Sequence, residues 1–205
     1  KHRNAKLMLP CPTHSDSAVI MRALSSKNTL SKIGLRNQID KIRLLFHRDR
    51  ESYLCFYRIL GFYPRNIQLY EQALLHKSSS VRSDKGRPLN NERLEFLGDA
   101  ILDAIVGDIV YKRFEGKREG FLTNTRSKIV QRETLNKLAV EIGLDKLIKY
   151  STRSSSHNSY MYGNAFEAFI GAIYLAQGYE RCNQCMEQRI INRYIDLDKI
   201  SRKEV

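Results

Sequence analysis

The chain has 205 residues, which is enough for one well-buried core and a tail. Its 35 lysine and arginine residues outnumber its 22 acidic residues, and the net charge of +13 suits a polyanionic partner such as nucleic acid. No apolar stretch approaches the length of a membrane-spanning helix, which argues against a membrane protein. Four scattered cysteines are too few for a disulfide framework, so we expect a protein of the reducing cytoplasm.

Taken in chain order, residues 1–36 form a basic N-terminal extension that we expect to be flexible or loosely attached. From residue 37 onward apolar residues recur at helical spacing without an alternating strand pattern, which predicts an all-α fold. The predicted helices cover residues 38–47, 49–60, 67–76, 91–114, 122–143, 144–149, 160–176 and 179–195. We therefore expect one domain over residues 37–195, followed by the stub of a linker over 196–205.

The predicted helix over 91–114 carries three carboxylates on one side. Glu92, Glu95 and Asp99 fall within one narrow arc, because successive helical residues turn by roughly 100°. Carboxylates seldom stand together beside an apolar surface unless a cation offsets their repulsion, and Mg²⁺ and Mn²⁺ prefer oxygen ligands. For this helix taken alone, a solvated acidic face is the alternative explanation.

A second apolar helical run, over residues 163–175, favours the metal explanation. Its single carboxylate is Glu167, and Asn164 lies three positions earlier, so both side chains can present oxygen atoms on one helix face. Two nearly apolar helices that each carry a small oxygen cluster are typical of two walls of a metal site.

The segment Asn91–Asp99, which reads Asn-Glu-Arg-Leu-Glu-Phe-Leu-Gly-Asp, resembles the hallmark motif of ribonuclease III, the double-strand-specific endoribonuclease family. Further segments resemble the family in its order and near its spacing, at residues 72–78, 119–127 and 163–175. The resemblance extends from about residue 38 to about residue 194 and is most similar to the bacterial enzymes with a single nuclease domain. It implies the all-α fold of the family's endonuclease domain.

The resemblance also implies roles for the acidic residues. The positions that match the family's Mg²⁺ ligands, for which Mn²⁺ can substitute, are Glu95, Asp99, Asn164 and Glu167. Asp99 and Glu167 match the catalytic pair. Glu92 and Glu119 match residues that support the positioning of RNA.

Asn164 departs from the family pattern, which usually has aspartate at this position. An amide keeps an oxygen ligand but loses one negative charge, so we expect weakened metal binding rather than none. Two interpretations follow from the sequence. The residue is either a natural variant of an active branch, or the mark of an impaired relative or a deliberate mutant.

Members of the family work as symmetric homodimers, in which the acidic cluster of each subunit cuts one RNA strand. The resemblance places Phe96 in a socket of the partner, and the neighbouring Gly98 permits close helix approach, so both are expected dimer contacts. For Phe96 the alternative is an ordinary core phenylalanine. The bacterial enzymes usually continue into a C-terminal double-stranded-RNA-binding domain, and the chain ends about where the linker to it would begin.

The resemblance thus predicts a metal-dependent endonuclease that hydrolyses double-stranded RNA to 5′-phosphate and 3′-hydroxyl ends, in rRNA and mRNA processing. Cations between the two acidic helices agree with RNA binding, namely Lys112, Arg113, Lys117, Arg118, Arg126, Lys128, Arg132 and Lys137. One alternative, supported by Asn164 alone, is a catalytically impaired ribonuclease III-like protein that binds RNA or ribosomes. A weaker alternative is an all-α metal-dependent nucleotide phosphohydrolase, which the basic segment disfavours.

Overall fold

The computed structural model describes residues 50–64, 66–151 and 160–202. The predictions for the extension over 1–36 and for a helix over 38–47 lie outside these residues. The helices are α1 Arg50–Leu60, α2 Ile67–Ala73, α3 Glu92–Arg113, α4 Glu119–Val130, α5 Arg132–Glu141, α6 Met161–Gln177, α7 Tyr179–Cys185, α8 Asn192–Tyr194 and α9 Leu197–Arg202. Short 3₁₀ turns cover Lys77–Ser79 and Leu144–Lys146, and a π-helical segment covers Met186–Ile191.

The described chain contains no β-strand, and only isolated bridges pair Leu75 with Lys149 and Arg82 with Pro88. The predicted all-α fold is therefore confirmed. Within the same residues, no helix combines the length and apolar character needed to cross a membrane.

The segment predicted as one helix over 122–143 forms two helices, α4 and α5. The break falls at Gln131, whose extended backbone, with ψ of 151°, ends α4 and begins α5. The Thr134 hydroxyl donates to the Lys128 carbonyl oxygen at 2.8 Å across the break. Neither glycine nor proline marks this position, so the sequence pattern did not reveal it.

Within the predicted linker stub over 196–205, Leu197–Arg202 forms the short helix α9. Asp196 caps this helix by accepting a hydrogen bond from the Lys199 backbone N–H at 2.9 Å. Asp198 then pairs with Arg113 at the end of α3, with 3.2 Å between nitrogen and oxygen. Residues up to the end of α9 therefore belong to the folded domain.

Helix α6 runs through the centre of the hydrophobic core. Every residue from Ala165 to Ile173 is buried. The ring of Phe169 lies 5.9 Å from that of Phe56 on α1 and meets Tyr70 on α2 edge-on at 5.7 Å, measured between centroids. A helix that is apolar on all sides has to be enclosed by other elements, and α2, α3, α5 and α7 pack around α6.

Helices α3 and α6 cross in direct backbone contact at two glycines. A Cβ atom on Gly98 would lie 1.7 Å from the Glu167 carbonyl oxygen, and one on Gly171 would lie 2.5 Å from the Leu94 carbonyl oxygen. Any side chain at either glycine would therefore force the helices apart. Since Gly98 is buried inside the chain, we assign it to this crossing instead of to the dimer contact expected from the sequence.

We expect Gly98→Ala to lower the free energy of unfolding by about 3 kcal/mol or more, because the new methyl group would overlap the backbone of α6. Gly107→Ala is the matched control on α3, since the nearest atom to its added Cβ is Arg126 Cδ at 3.9 Å. That control should be neutral or stabilising by up to about 1 kcal/mol through helix propensity. Urea denaturation compares the two variants, and equal stabilities would contradict the tight crossing.

Candidate active site

The crossing of α3 and α6 borders a cleft of about 400 Å³. The lining residues are His76, Lys77, Asn91, Glu92, Glu95, Phe96, Asp99, Arg132, Asn164 and Glu167. The structure thus brings together all but one of the acidic and amide positions singled out from the sequence. The exception, Glu119, lies exposed at the start of α4 and accepts a hydrogen bond from the Thr123 hydroxyl at 2.7 Å. Its supporting role stays a prediction.

The turn before α3 holds Glu92 at the rim of the cleft. Asn90 accepts a hydrogen bond from the Glu92 backbone N–H and donates one from its amide to the Glu92 carboxylate, both at 3.1 Å. The Lys77 ammonium lies 3.5 Å from the same carboxylate. A negative charge in the first turn of α3 is also favoured by the helix dipole, so local interactions stabilise Glu92 without a metal ion.

Glu167 is the most buried of the carboxylates that line the cleft, with an exposed fraction of 8%. Burial and, next, the negative charge of Asp99 raise the pKa of Glu167 to about 7. Arg132 lowers this pKa and Glu95 raises it by smaller amounts. Near neutral pH a large fraction of the metal-free molecules therefore carries a protonated Glu167.

Glu95 faces Glu167 from the other wall of the cleft and is half-buried. Burial raises the pKa of Glu95, whereas the nearby Arg132 guanidinium and a hydrogen bond from the Asn164 side chain lower it. The crossing of α3 and α6 therefore places Glu95 within reach of Asn164. This proximity is what a metal site shared by the two helices requires.

Arg132, the first residue of α5, extends its guanidinium into the cleft. Its Nη1 donates a hydrogen bond to Asn164 Oδ1, and its guanidinium carbon lies 4.9 Å from the centroid of the Tyr160 ring. One turn later, Asn136 accepts a hydrogen bond from the Gly163 backbone N–H at 2.7 Å and anchors α5 on α6. The sequence analysis singled out Arg132 only as one of the basic residues, because its contact with Asn164 joins positions 32 residues apart.

The cleft has the donor chemistry of a site for a hard divalent cation. Its carboxylates and amide offer oxygen donors, and a cation would relieve the repulsion that raises the pKa of Glu167. Within the described residues, however, no three His, Cys, Asp or Glu side chains converge closely enough to hold an ion together. The predicted ligands therefore share one cleft without forming a preassembled cluster, and metal binding requires them to move towards each other.

Phe96 lines the edge of the cleft with 84% of its surface exposed. The alternative of an ordinary core phenylalanine is therefore wrong. Its role as a dimer contact stays a prediction from the family resemblance.

The raised pKa of Glu167 makes the stability of the metal-free protein depend on pH. The pKa of Glu167 rises from 4.5 to about 7 on folding, so between these pH values the folded state binds more protons than the unfolded state. The free energy of unfolding therefore falls as the pH rises through this range. We expect Glu167→Gln to be about 2–3 kcal/mol more stable than the parent at pH 8 and nearly equal to it at pH 4.5. Urea denaturation in EDTA at both pH values measures this difference, and a difference independent of pH would contradict it.

Sequence comparisons agree with the resemblance described above. A model of the ribonuclease-III-like family matches residues 66–194, which include α3 and α6. Ribonuclease 3 of Bacteroides thetaiotaomicron is 95% identical over 171 residues, which are 83% of this chain and 55% of that protein. Ribonuclease 3 of Zunongwangia profunda is 38% identical over 149 residues, which are 73% of this chain and 61% of that protein. The chain thus spans between half and two thirds of the length of these curated relatives.

Solved structures are similar over the same region. The nuclease domain of ribonuclease III from Campylobacter jejuni superimposes with a TM-score of 0.61 at 29% identity, covering 73% of this chain and 99% of that chain. A second structure of that domain gives a TM-score of 0.60 at 30% identity, covering 68% and 96%. The described residues therefore have the fold of a ribonuclease III nuclease domain, and the chain belongs to the ribonuclease-III-like family.

Proposed function

We propose that this chain is the nuclease part of a metal-dependent endonuclease that hydrolyses double-stranded RNA. The observation that carries the proposal is the buried Glu167, which experiences the charges of Asp99 and Glu95 across the cleft between α3 and α6. Family membership supports the same activity. The products would be 5′-phosphate and 3′-hydroxyl ends, and the cellular role would be rRNA and mRNA processing in the cytoplasm.

Both walls of the cleft would contribute ligands to the metal ion. Glu95 and Asp99 on α3 and Glu167 on α6 would hold Mg²⁺ or Mn²⁺, with Asn164 as a neutral oxygen ligand. A bound divalent cation supplies an activated water and stabilises the extra negative charge of the phosphodiester transition state. Asp99 and Glu167 form the catalytic pair in this proposal, because they repel each other from opposite walls and a cation between them is favoured.

Basic residues between the acidic helices support duplex RNA as the substrate. Lys117, Arg118 and Lys137 have exposed side chains, whereas Lys112 is paired with Asp108 at 2.7 Å. Cations of this kind neutralise phosphates and give affinity that does not depend on sequence. Preference for double-stranded RNA would come from its A-form shape and its 2′-hydroxyl groups.

One observation favours a second candidate, a catalytically impaired family member that binds RNA or ribosomes. Arg132 engages the Asn164 side-chain oxygen, so the one amide among the proposed ligands is already hydrogen-bonded. The remaining carboxylates favour the enzyme, because all three stay at the cleft. An impaired protein would bind duplex RNA without cutting it at any Mg²⁺ concentration.

The proposal includes a symmetric homodimer, with Phe96 as a contact between protomers. One structure of the Campylobacter jejuni nuclease domain is described as containing a region involved in dimer formation. In this chain Phe96 stands exposed on α3 beside the cleft, where a partner could cover it. A contact there would place two clefts close to one duplex.

We expect Asp99→Ala and Glu167→Ala each to slow duplex RNA cleavage by roughly a hundredfold or more, because each removes a ligand of the catalytic cation. Asp103→Ala is the matched control. Asp103 lies one turn beyond Asp99 on α3, outside the cleft lining, with its carboxylate 4.0 Å from Arg126 Nε. It should cleave at nearly the parent rate.

The measurement is cleavage of end-labelled duplex RNA across a Mg²⁺ titration, with melting curves to verify folding. A site variant that matches the parent rate at saturating Mg²⁺ would contradict the site assignment. A parent that binds the duplex and never cuts it would establish the impaired candidate instead.

We expect Phe96→Ala to weaken a homodimer by about 2–4 kcal/mol, because truncation of a large buried anchor removes most of its contact energy. Tyr111→Ala is the control, since Tyr111 is also exposed on α3, at 71%, but does not line the cleft. Analytical ultracentrifugation at matched concentrations compares both variants with the parent. A parent that is monomeric at tens of micromolar, roughly the range of weak dimers, would rule out the symmetric dimer.

A further inference from the structure

The cleft contains a positive charge that the proposed chemistry does not use. Arg132 donates a hydrogen bond to Asn164, and its guanidinium carbon lies over the Tyr160 ring. Its charge also lowers the pKa of Glu95 on α3 and of Glu167 on α6. Arg132 therefore interacts with both acidic walls of the cleft.

The packing of α5 on α6 explains how Arg132 is held there. Asn136 lies one turn later on the same face of α5 and accepts the hydrogen bond from the Gly163 backbone N–H at 2.7 Å. The helix itself gives no reason for an arginine, because a cation in the first turn opposes the helix dipole. The hydrogen bond to Asn164, the contact with Tyr160 and the attraction to Glu95 and Glu167 offset that unfavourable term.

The charge of the Arg132–Asn164 pair is the key quantity. A guanidinium bound to a neutral amide carries one net positive charge, and so does a divalent cation bound to one carboxylate. The two arrangements therefore present the same net charge to an RNA phosphate. Four carboxylates line the cleft, on Glu92, Glu95, Asp99 and Glu167, together with two cations, Lys77 and Arg132. With every carboxylate ionised, two net negative charges remain, and a single divalent cation neutralises them.

We infer that the Arg132–Asn164 pair takes the place of one cation–carboxylate pair, so that each protomer binds one divalent cation and uses Arg132 as its second positive charge. This inference rests on the proposed nuclease function and identifies a further residue that contacts the substrate. A guanidinium presents several N–H donors in a plane that matches phosphate oxygens. Arg132 accordingly binds the RNA phosphate beside the metal ion.

The same arrangement predicts what an aspartate at position 164 would do. An aspartate there would pair with the adjacent Arg132 and would be neutralised by it, so it would not recruit a second cation. The two residues act as a unit, and substitutions at both positions should be non-additive.

The test counts Mn²⁺ ions per protomer by isothermal titration calorimetry, with the paramagnetic resonance signal of free Mn²⁺ as a second measure. We expect one ion in the parent and one in Asn164→Asp, where the new carboxylate pairs with Arg132. The double variant Arg132→Gln with Asn164→Asp adds a carboxylate beside Glu95, Asp99 and Glu167 and removes the guanidinium that neutralises them. It should bind two ions.

Arg132→Gln alone should still bind one ion, on the order of tenfold more tightly, because a nearby repelling charge has been removed. Its melting temperature in EDTA should fall, since the carboxylates then lack their built-in counter-charge. Lys137→Gln is the matched control, because it removes an exposed charge from the same helix outside the cleft lining. It should leave the number of bound ions and the affinity for Mn²⁺ unchanged.

Two ions per protomer in the parent or in Asn164→Asp would overturn the inference and leave the metal-dependent nuclease in place. One ion in the double variant, or an unchanged affinity in Arg132→Gln, would also overturn it. A parent that binds no Mn²⁺ and cuts no duplex would overturn the proposed function itself. If the variants that lack Arg132 fail to fold, Asn164→Asp decides the question, because it retains the arginine.

Discussion

The backbone contact between Gly98 on α3 and α6 is the constraint on which the site depends. It sets the Glu167 carbonyl oxygen against Gly98 and the Leu94 carbonyl oxygen against Gly171. At that spacing the acidic side of α3 and the first turns of α6 border one cleft. Every residue of α6 from Ala165 to Ile173 is buried, and Glu167 is the one charged side chain among them, facing this cleft. The packing that stabilises the fold therefore also fixes the walls of the site.

The crossing of α3 and α6 concentrates negative charge in a poorly solvated cleft. The raised pKa of Glu167 shows that ionisation is unfavourable there. Two kinds of cation can offset that cost. Arg132 is built into the chain and is always charged, while a divalent ion enters from solution. The apo protein thus has a partly neutralised site, and the remaining negative charge provides the driving force for metal binding. The stability of the fold and the proposed chemistry are therefore linked through the carboxylates of Glu95, Asp99 and Glu167.

Much of the fold and site followed from periodicity in the sequence. Helical spacing predicted the arc of Glu92, Glu95 and Asp99 and the pairing of Asn164 with Glu167, since these depend only on local geometry. The break at Gln131 and helix α9 were missed, because tertiary packing and one capping aspartate determine them. The contact between Arg132 and Asn164 joins residues 32 positions apart, so no local pattern could reveal it. The α3–α6 crossing likewise depends on Gly98 and Gly171, which lie on different helices, so no local pattern could reveal it.

X-ray diffraction at the manganese absorption edge, from crystals soaked in MnCl₂, tests the metal site most directly. We expect one anomalous peak per protomer between α3 and α6, at about 2.1 Å from oxygen atoms of Glu95, Asp99, Asn164 and Glu167. Arg132 should still donate its hydrogen bond to Asn164 beside that peak. A peak elsewhere, or no peak at Mn²⁺ concentrations that support cleavage of duplex RNA, would contradict a metal site built on the α3–α6 crossing.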